Sequence, residues 1–87
     1  MALADLFRLL GDPVRARITL ALGAGEMCVG DIALATEASE NSVSYGLRHF
    51  RTAGLVRRRR AGRVIYYRLA DARLRELAAR AREIASA

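Results

Sequence analysis

The sequence contains a single cysteine, Cys28, and a single histidine, His49. One cysteine cannot form a disulfide within the chain, which argues against a disulfide-stabilised secreted domain and favours a cytoplasmic location. No apolar run approaches the length of a membrane span, and the N-terminus lacks the charged and then apolar order of a signal peptide. We therefore expect no membrane partner.

Residue combinations that carry catalysis are also missing. The chain has no phosphate-binding glycine loop, no nucleophile beside a base and no pair of carboxylates in a suitable cleft. Asp71, Glu76 and Glu83 are instead expected to offset the arginines of the last helix through pairs on neighbouring turns. The sequence thus argues against an enzyme.

Positive charge is what the sequence has in excess. Its 15 arginines, with no lysine, exceed the 9 acidic residues and give a net charge of +6 with His49 neutral. Such an excess on a small protein favours a polyanionic partner, with nucleic acid first and a membrane surface second. The 87 residues have room for a single domain, expected over residues 1–87, with a modest core that dimerisation would enlarge.

Apolar periodicity and capping residues predict helices over most of the first half of the chain. The expected ranges are residues 2–10, residues 13–23 after an Asp12 cap, residues 29–36 and residues 40–53. The third helix is expected to bury Ile32, Leu34 and Ala35, and to begin at Cys28 in a capping box where cysteine replaces serine or threonine. The fourth, capped by Ser39, buries the stripe Val43, Leu47 and Phe50.

Two alternating runs follow, residues 55–60 and 63–69, joined across Ala61-Gly62 as a β-hairpin. From Asp71 the helical period returns, and its apolar face carries Leu74, Leu77, Ala81 and Ile84. The order is therefore α-α-α-α-β-β-α. Two short helices joined by a tight turn and followed by a basic hairpin predict a mostly α winged helix-turn-helix.

The fourth helix leaves polar and basic side chains on its outer surfaces: Asn41, Ser42, Ser44, Tyr45, Arg48 and Arg51. These residue types donate to phosphates or contact base edges in a major groove that is wide enough to admit a helix. The alternative is an ordinary solvated helix face. Because Glu40 is the one acid on this surface, we favour DNA recognition.

The hairpin carries the strongest charge signal, Arg57–Arg60 with Arg63 and Arg68. Alternate strand residues point to opposite faces, so these arginines cannot all point one way. Arg59, Arg60 and Arg63 lie nearest the turn, where they best reach a flanking minor groove or the DNA backbone. The alternative is a charged edge strand that discourages aggregation, and the two roles are compatible.

Cys28 and His49 each allow a functional and a structural interpretation. Cys28 is either a metal ligand or redox sensor, or a small, partly buried cap residue, and we favour the second. His49 could stack, contact DNA, bind a metal or cover the edge of the core. Together they cannot complete a tetrahedral zinc site within one chain.

Four segments in order resemble the ArsR/SmtB family of bacterial metal-responsive repressors, over essentially the whole chain. They are residues 10–18 (LGDPVRARI), residues 26–31 (EMCVGD), residues 41–47 (NSVSYGL) with 53–56 (AGLV), and residues 62–69 (GRVIYYRL). The resemblance implies a homodimer formed by the first and last helices, with the interface on Leu3, Leu6, Leu74, Leu77 and Ile84. It also implies recognition helices in successive major grooves and release of DNA when an effector binds.

The departures from the family pattern concern the effector. Arsenic-sensing members look like Cys-Val-Cys at the start of the third helix, and in this chain Gly30 stands in place of the second cysteine. Zinc- or nickel-sensing members place Asp and His ligands on the last helix. This chain keeps Asp71, but Arg73 stands two residues on and no histidine follows. A cadmium- and lead-sensing branch places cysteines on the recognition helix, where His49 and Ala53 stand here. Cys28, Asp71 and His49 are the candidate ligands for a transition or heavy metal ion of unknown identity.

Two further departures concern DNA preference. Gly46 replaces the usual histidine before the buried leucine of the recognition helix, and Glu37 replaces a frequent turn glycine; Gly46 should also weaken the helix locally. The sequence thus predicts a repressor that acts by blocking polymerase and leaves DNA when an effector binds. A family member controlled by redox state or a partner protein is one alternative, and a winged-helix module for RNA or protein is the second.

Overall fold

In the computed structural model, which describes residues 1–86, the chain forms five helices and a small three-stranded sheet. The helices are α1 (Leu3–Leu10), α2 (Pro13–Gly23), α3 (Val29–Thr36), α4 (Glu40–Thr52) and α5 (Ala72–Ser86). The strands are β1 (Met27–Cys28), β2 (Val56–Ala61) and β3 (Val64–Leu69). Ala87, the last residue of the predicted domain, lies outside the described part. The predicted winged helix-turn-helix is confirmed, with β1 as an addition.

Two of the predicted helix starts show the expected caps. The Asp12 carboxylate accepts a hydrogen bond from the backbone N–H of Arg15 at 3.0 Å, with Pro13 opening α2. The hydroxyl of Ser39 accepts from the backbone N–H of Ser42 at 3.0 Å at the start of α4. Cys28 does precede α3, but its side chain makes no capping hydrogen bond. The predicted capping box is therefore wrong, because a thiol is a weak acceptor.

The hydrophobic core lies between α2, α3, α4 and the sheet. Its buried members are Ile18, Leu22, Ile32, Val43, Leu47, Phe50, Val56 and Tyr67. The apolar stripe predicted for α4 is thus confirmed.

Leu34 and Ala35 on α3 were expected to be buried, but both are exposed, and the exposed fraction of Leu34 is 80%. The reason is helical spacing: α3 buries Ile32 and Thr36, one turn apart, so a residue midway between them faces solvent.

The sheet has the strand order β1-β3-β2, with both pairings antiparallel. We call the β2–β3 hairpin the wing. Ala61 pairs with Val64, so the turn is Gly62-Arg63, one residue later than predicted, and Gly62 supplies its positive φ of 64°. Val56 and Tyr67 face the core. The opposite face, which we call the outer face of the sheet, carries Arg57, Arg59, Tyr66, Arg68 and Cys28.

Among residues 1–86, no helix combines the length and the apolar character that crossing a lipid bilayer demands.

Candidate nucleic-acid interface

The outer side of α4 carries the side chains that the sequence assigned to DNA. All six are exposed, and helical spacing places Asn41, Ser44, Tyr45 and Arg48 in one stripe directly opposite the buried stripe of the helix. Ser42 and Arg51 lie at the two edges of this exposed stripe. We call the four central residues the α4 stripe. Because the opposite side is locked into the core, α4 presents these four side chains to solvent in a defined orientation.

Two aromatic rings on α4, those of Tyr45 and His49, contact one another. The rings of Tyr45 and His49 are 4.6 Å apart between centroids and meet edge to face at 79°. His49 is half-buried, whereas Tyr45 is exposed. This arrangement gives His49 a packing role beside the α4 stripe, since an edge-to-face contact restricts the orientation of the tyrosine ring.

Thr52 extends the α4 stripe by one turn and is not among the DNA contacts predicted from the sequence. Its side chain is exposed, and its hydroxyl donates to the backbone carbonyl of Arg48 at 3.0 Å. The signal that could have found it is the spacing of four residues from Arg48 along the same helix face.

The wing arginines fall into two groups. Arg59 is bound to Glu26: Nη2 lies 2.7 Å from Oε1, and Nε donates to both carboxylate oxygens. This hydrogen bond lowers the pKa of the Glu26 carboxyl and raises the pKa of Arg59. Within residues 1–86, Arg60 and Arg63 make neither a salt bridge nor a side-chain hydrogen bond. The same holds for Arg57, Arg58 and Arg68, the wing arginines that are not among the predicted DNA contacts.

The candidate metal ligands lie on three different elements. Cys28 is a free, half-buried thiol at the β1–α3 junction, and His49 lies on α4. Asp71 precedes α5 and is engaged by Arg73, whose Nη2 lies 2.7 Å from Oδ2 and whose backbone N–H donates to Oδ1 at 2.9 Å. The hydrogen bonds from Arg73 lower the pKa of Asp71 to about 2. Over the described residues, no three His, Cys, Asp or Glu side chains are grouped to hold a metal ion.

A second surface of interest is apolar. No residue of α1 is buried, and Leu3 and Phe7 are 68% and 54% exposed. On α5, Ile84 is 78% exposed. Between α1, α2 and α5 runs an open groove of about 350 Å³, lined almost entirely by apolar and small side chains. We call this region the α1–α5 face.

The residues predicted to form the dimer interface differ in how exposed their side chains are. Leu3 and Ile84 are exposed on the α1–α5 face, while Leu6 and Leu77 are half-buried. Leu74 is only 7% exposed and packs within its own chain. It therefore has almost no surface left for a second copy, because the first turn of α5 already lies against the body of the protein.

The model of the family described as "Bacterial regulatory protein, arsR family" matches residues 12–58, more than half of the chain. The chain is 48% identical over 69 residues to a transcriptional repressor SmtB homolog of Synechocystis, covering 79% of this chain and 52% of that protein. It is 35% identical over 91 residues to a cadmium resistance transcriptional regulatory protein CadC homolog of Staphylococcus aureus, covering 99% and 75%. The chain thus spans about half the length of the SmtB homolog.

Solved structures give the same picture of the fold. The crystal structure of the transcriptional repressor BigR from Xylella fastidiosa superposes with a TM-score of 0.86 at 31% identity, covering 93% of this chain and 83% of that one. The homodimeric winged helix-turn-helix DNA-binding domain from Mycobacterium bovis, solved by NMR, gives a TM-score of 0.81 at 32% identity, covering 95% and 77%.

Proposed function

The chain belongs to the ArsR family of bacterial regulatory proteins, and from this premise we propose that it is a homodimeric, sequence-specific DNA-binding repressor of transcription in the cytoplasm. The observation that carries the proposal is the α4 stripe. Asn41, Ser44, Tyr45 and Arg48 project together from a helix whose other side is held in the core. Amide, hydroxyl and guanidinium groups on one exposed helix face suit the base edges and phosphates of a major groove.

Phosphate binding and base recognition are assigned to different side chains of α4 and the wing. In this proposal Arg51, at the edge of the α4 stripe, and Arg60 and Arg63 on the wing bind phosphate. Because phosphate contacts release counterions, these residues supply affinity that falls as salt rises and carries no sequence information. The α4 stripe and Ser42 supply register and base preference. Within the stripe, the guanidinium of Arg48 can contact a guanine through two hydrogen bonds.

The exposed apolar residues of the α1–α5 face favour the proposed homodimer. A chain of 87 residues buries a modest core, and its largest exposed apolar side chains include Leu3, Phe7 and Ile84 on this face. A second copy seated there would cover these residues and fill the groove between α1, α2 and α5. The resulting two-fold axis would present two α4 stripes to an imperfect palindrome with half-sites one helical turn apart.

We propose an effector that releases the protein from DNA, and the donor set limits what it can be. The candidate ligands of one chain do not fit a complete metal site: Cys28 and His49 lie on different elements, and Asp71 is occupied by Arg73. A metal ion would therefore need ligands from both protomers. Control through the Cys28 thiol or a partner protein is the alternative that this mismatch favours.

The test is fluorescence anisotropy on duplex DNA from upstream of the protein's gene, beside a scrambled duplex, over a salt series. We expect tighter binding to the upstream duplex, with affinity falling as salt rises. Nickel, zinc, cadmium and arsenite are then added in turn, and Cys28→Ser is compared with the wild type under oxidant. Tighter binding to single-stranded RNA than to either duplex would contradict the proposal and favour an RNA-binding module.

A further inference from the structure

Arg59 differs from the other wing arginines in its surroundings. Its Nε donates to Oε1 and Oε2 of Glu26 at 2.9 and 3.0 Å, and its Nη2 lies 2.7 Å from Oε1. The guanidinium carbon also lies 4.8 Å from the centroid of the Tyr66 ring. A carboxylate and an aromatic face therefore hold the same guanidinium, and both contacts favour its charged, planar form.

These contacts cross the whole sheet. Arg59 on β2 pairs in register with Tyr66 on β3, and Tyr66 pairs with Cys28 on β1. Glu26 directly precedes β1, 33 residues before Arg59 in the sequence. The ion pair thus joins the two outer strands over the ring of the central one. Since β1 has only two residues, the pair adds a tie between the wing and the start of α3.

The pair also changes what Arg59 can offer to DNA. Neither β2 nor β3 contains an acidic residue, and of the six wing arginines Arg59 is the one that forms a salt bridge within residues 1–86. To bind a phosphate, Arg59 would have to exchange one anion for another. The salt dependence of binding counts the DNA counterions that protein cations displace from phosphates. A guanidinium that stays paired with a carboxylate displaces few of them, so it adds little to the salt dependence.

We propose that Glu26 is a positioning residue that keeps Arg59 in the sheet and withholds it from DNA, so that the wing contacts phosphate through Arg60 and Arg63. Glu26 thereby sets the number of wing cations available to the DNA backbone. The proposal rests on the proposed DNA-binding function. It reassigns Arg59, which the sequence argument placed among the DNA contacts, to the support of the wing.

The test measures the slope of log affinity against log salt concentration for one duplex with four variants. Arg60→Ala should make the slope shallower by about one unit per protomer, the value for one lost phosphate contact. Arg59→Ala should leave the slope at the wild-type value. Glu26→Gln should make it steeper by about one unit per protomer, since Arg59 is then no longer neutralised. Glu76→Gln on α5 removes an equal charge away from the wing and should leave the slope unchanged.

Far-UV circular dichroism of each variant at the assay temperature establishes that it is folded. If Arg59→Ala does not fold, the comparison of Glu26→Gln with Glu76→Gln still decides, because it keeps both Arg59 and the size of the side chain. A loss of slope in Arg59→Ala equal to that in Arg60→Ala overturns the inference, as does a Glu26→Gln slope no steeper than that of Glu76→Gln. A wild-type protein without salt-dependent duplex binding would overturn the proposed function as well.

Discussion

Gly46 of α4 lies so close to Ile18 of α2 that a Cβ atom at position 46 would stand 2.9 Å from the Cδ1 of Ile18. The same Cβ would stand 3.3 Å from Cγ of Arg15, whose Nε donates to the backbone carbonyl of Leu9 at 2.7 Å. Gly46 therefore lets α4 approach α2, while Arg15 ties α2 to the end of α1. The sequence showed the cost of this glycine in helix propensity but not the close approach that it permits.

Gly46→Ala should lower the free energy of unfolding by up to about 2 kcal/mol. Alanine favours a helix over glycine by about 1 kcal/mol, but overpacking a close-packed core costs about 1–3 kcal/mol, and Ile18 is fully buried. Urea denaturation followed by circular dichroism measures the change. An increase in stability would contradict the account.

Two variants serve as controls for this prediction. Ile18→Val removes the Cδ1 atom that the new methyl group would meet, so Gly46→Ala should cost less in that background than in the wild type. Gly30→Ala on α3 meets nothing closer than Oε1 of Glu40 at 3.9 Å and should be neutral or stabilising by up to about 1 kcal/mol. Equal costs of Gly46→Ala in both backgrounds would show that Ile18 is not the obstacle.

Arg48→Ala should weaken binding to the cognate duplex by about 1–3 kcal/mol if the guanidinium contacts a guanine, and change binding to a scrambled duplex much less. Arg75→Ala on α5 removes the same charge away from the α4 stripe and should leave the ratio of the two affinities unchanged. Anisotropy titrations of both variants on both duplexes give the comparison. Equal losses on the two duplexes would make Arg48 a phosphate contact.

Phe7→Ser should dissociate the dimer without unfolding the chain, because Phe7 is exposed on the α1–α5 face and is not part of the core. Sedimentation velocity at micromolar concentration would show the mass of one protomer with a helical circular dichroism spectrum. Leu34→Ser replaces an even more exposed apolar residue on α3 and should leave the dimer intact. A dimer that survives Phe7→Ser but is lost in Leu34→Ser would place the interface on α3.

The Asp71–Arg73 pair predicts a specific acid sensitivity. The hydrogen bonds from Arg73 lower the pKa of Asp71 from 3.8 to about 2 in the folded protein. A carboxyl group with a depressed pKa stabilises the fold fully above its unfolded pKa, and this contribution is lost as the pH falls through the folded value. The wild type should therefore exceed Asp71→Asn in urea midpoint near neutral pH, with the difference shrinking below about pH 4. A difference that stays constant down to pH 2.5 would contradict this.

The elements of this fold could be predicted because their signals are local. The caps Asp12 and Ser39, the apolar stripe of α4 and the alternation in the wing each depend on residues within one or two turns. The errors arise where the outcome depends on distant packing. Leu34 is apolar, but α3 packs Ile32 and Thr36 against the core, and this places Leu34 on the solvent side of the helix.

The candidate site shows the same division. Periodicity within α4 suffices to separate its buried stripe from its exposed one. The ion pair of Arg59 with Glu26 could not be predicted, because Glu26 is brought to it by β1, a strand of two residues with no periodic pattern. Leu74 likewise shares a helix face with Ile84, yet only the packing of the first turn of α5 shows that Leu74 is buried and Ile84 is exposed.

Selection of binding sites from a random duplex library tests the central claim most directly, because it needs no assumption about the operator. Two α4 stripes related by a two-fold axis predict an enriched, imperfectly palindromic sequence whose half-sites are centred about 10 base pairs apart. The enrichment should be lost with Arg48→Ala and kept with Arg75→Ala. Absence of any enriched sequence, or enrichment of one without two-fold symmetry, would contradict a dimeric, sequence-specific DNA-binding protein.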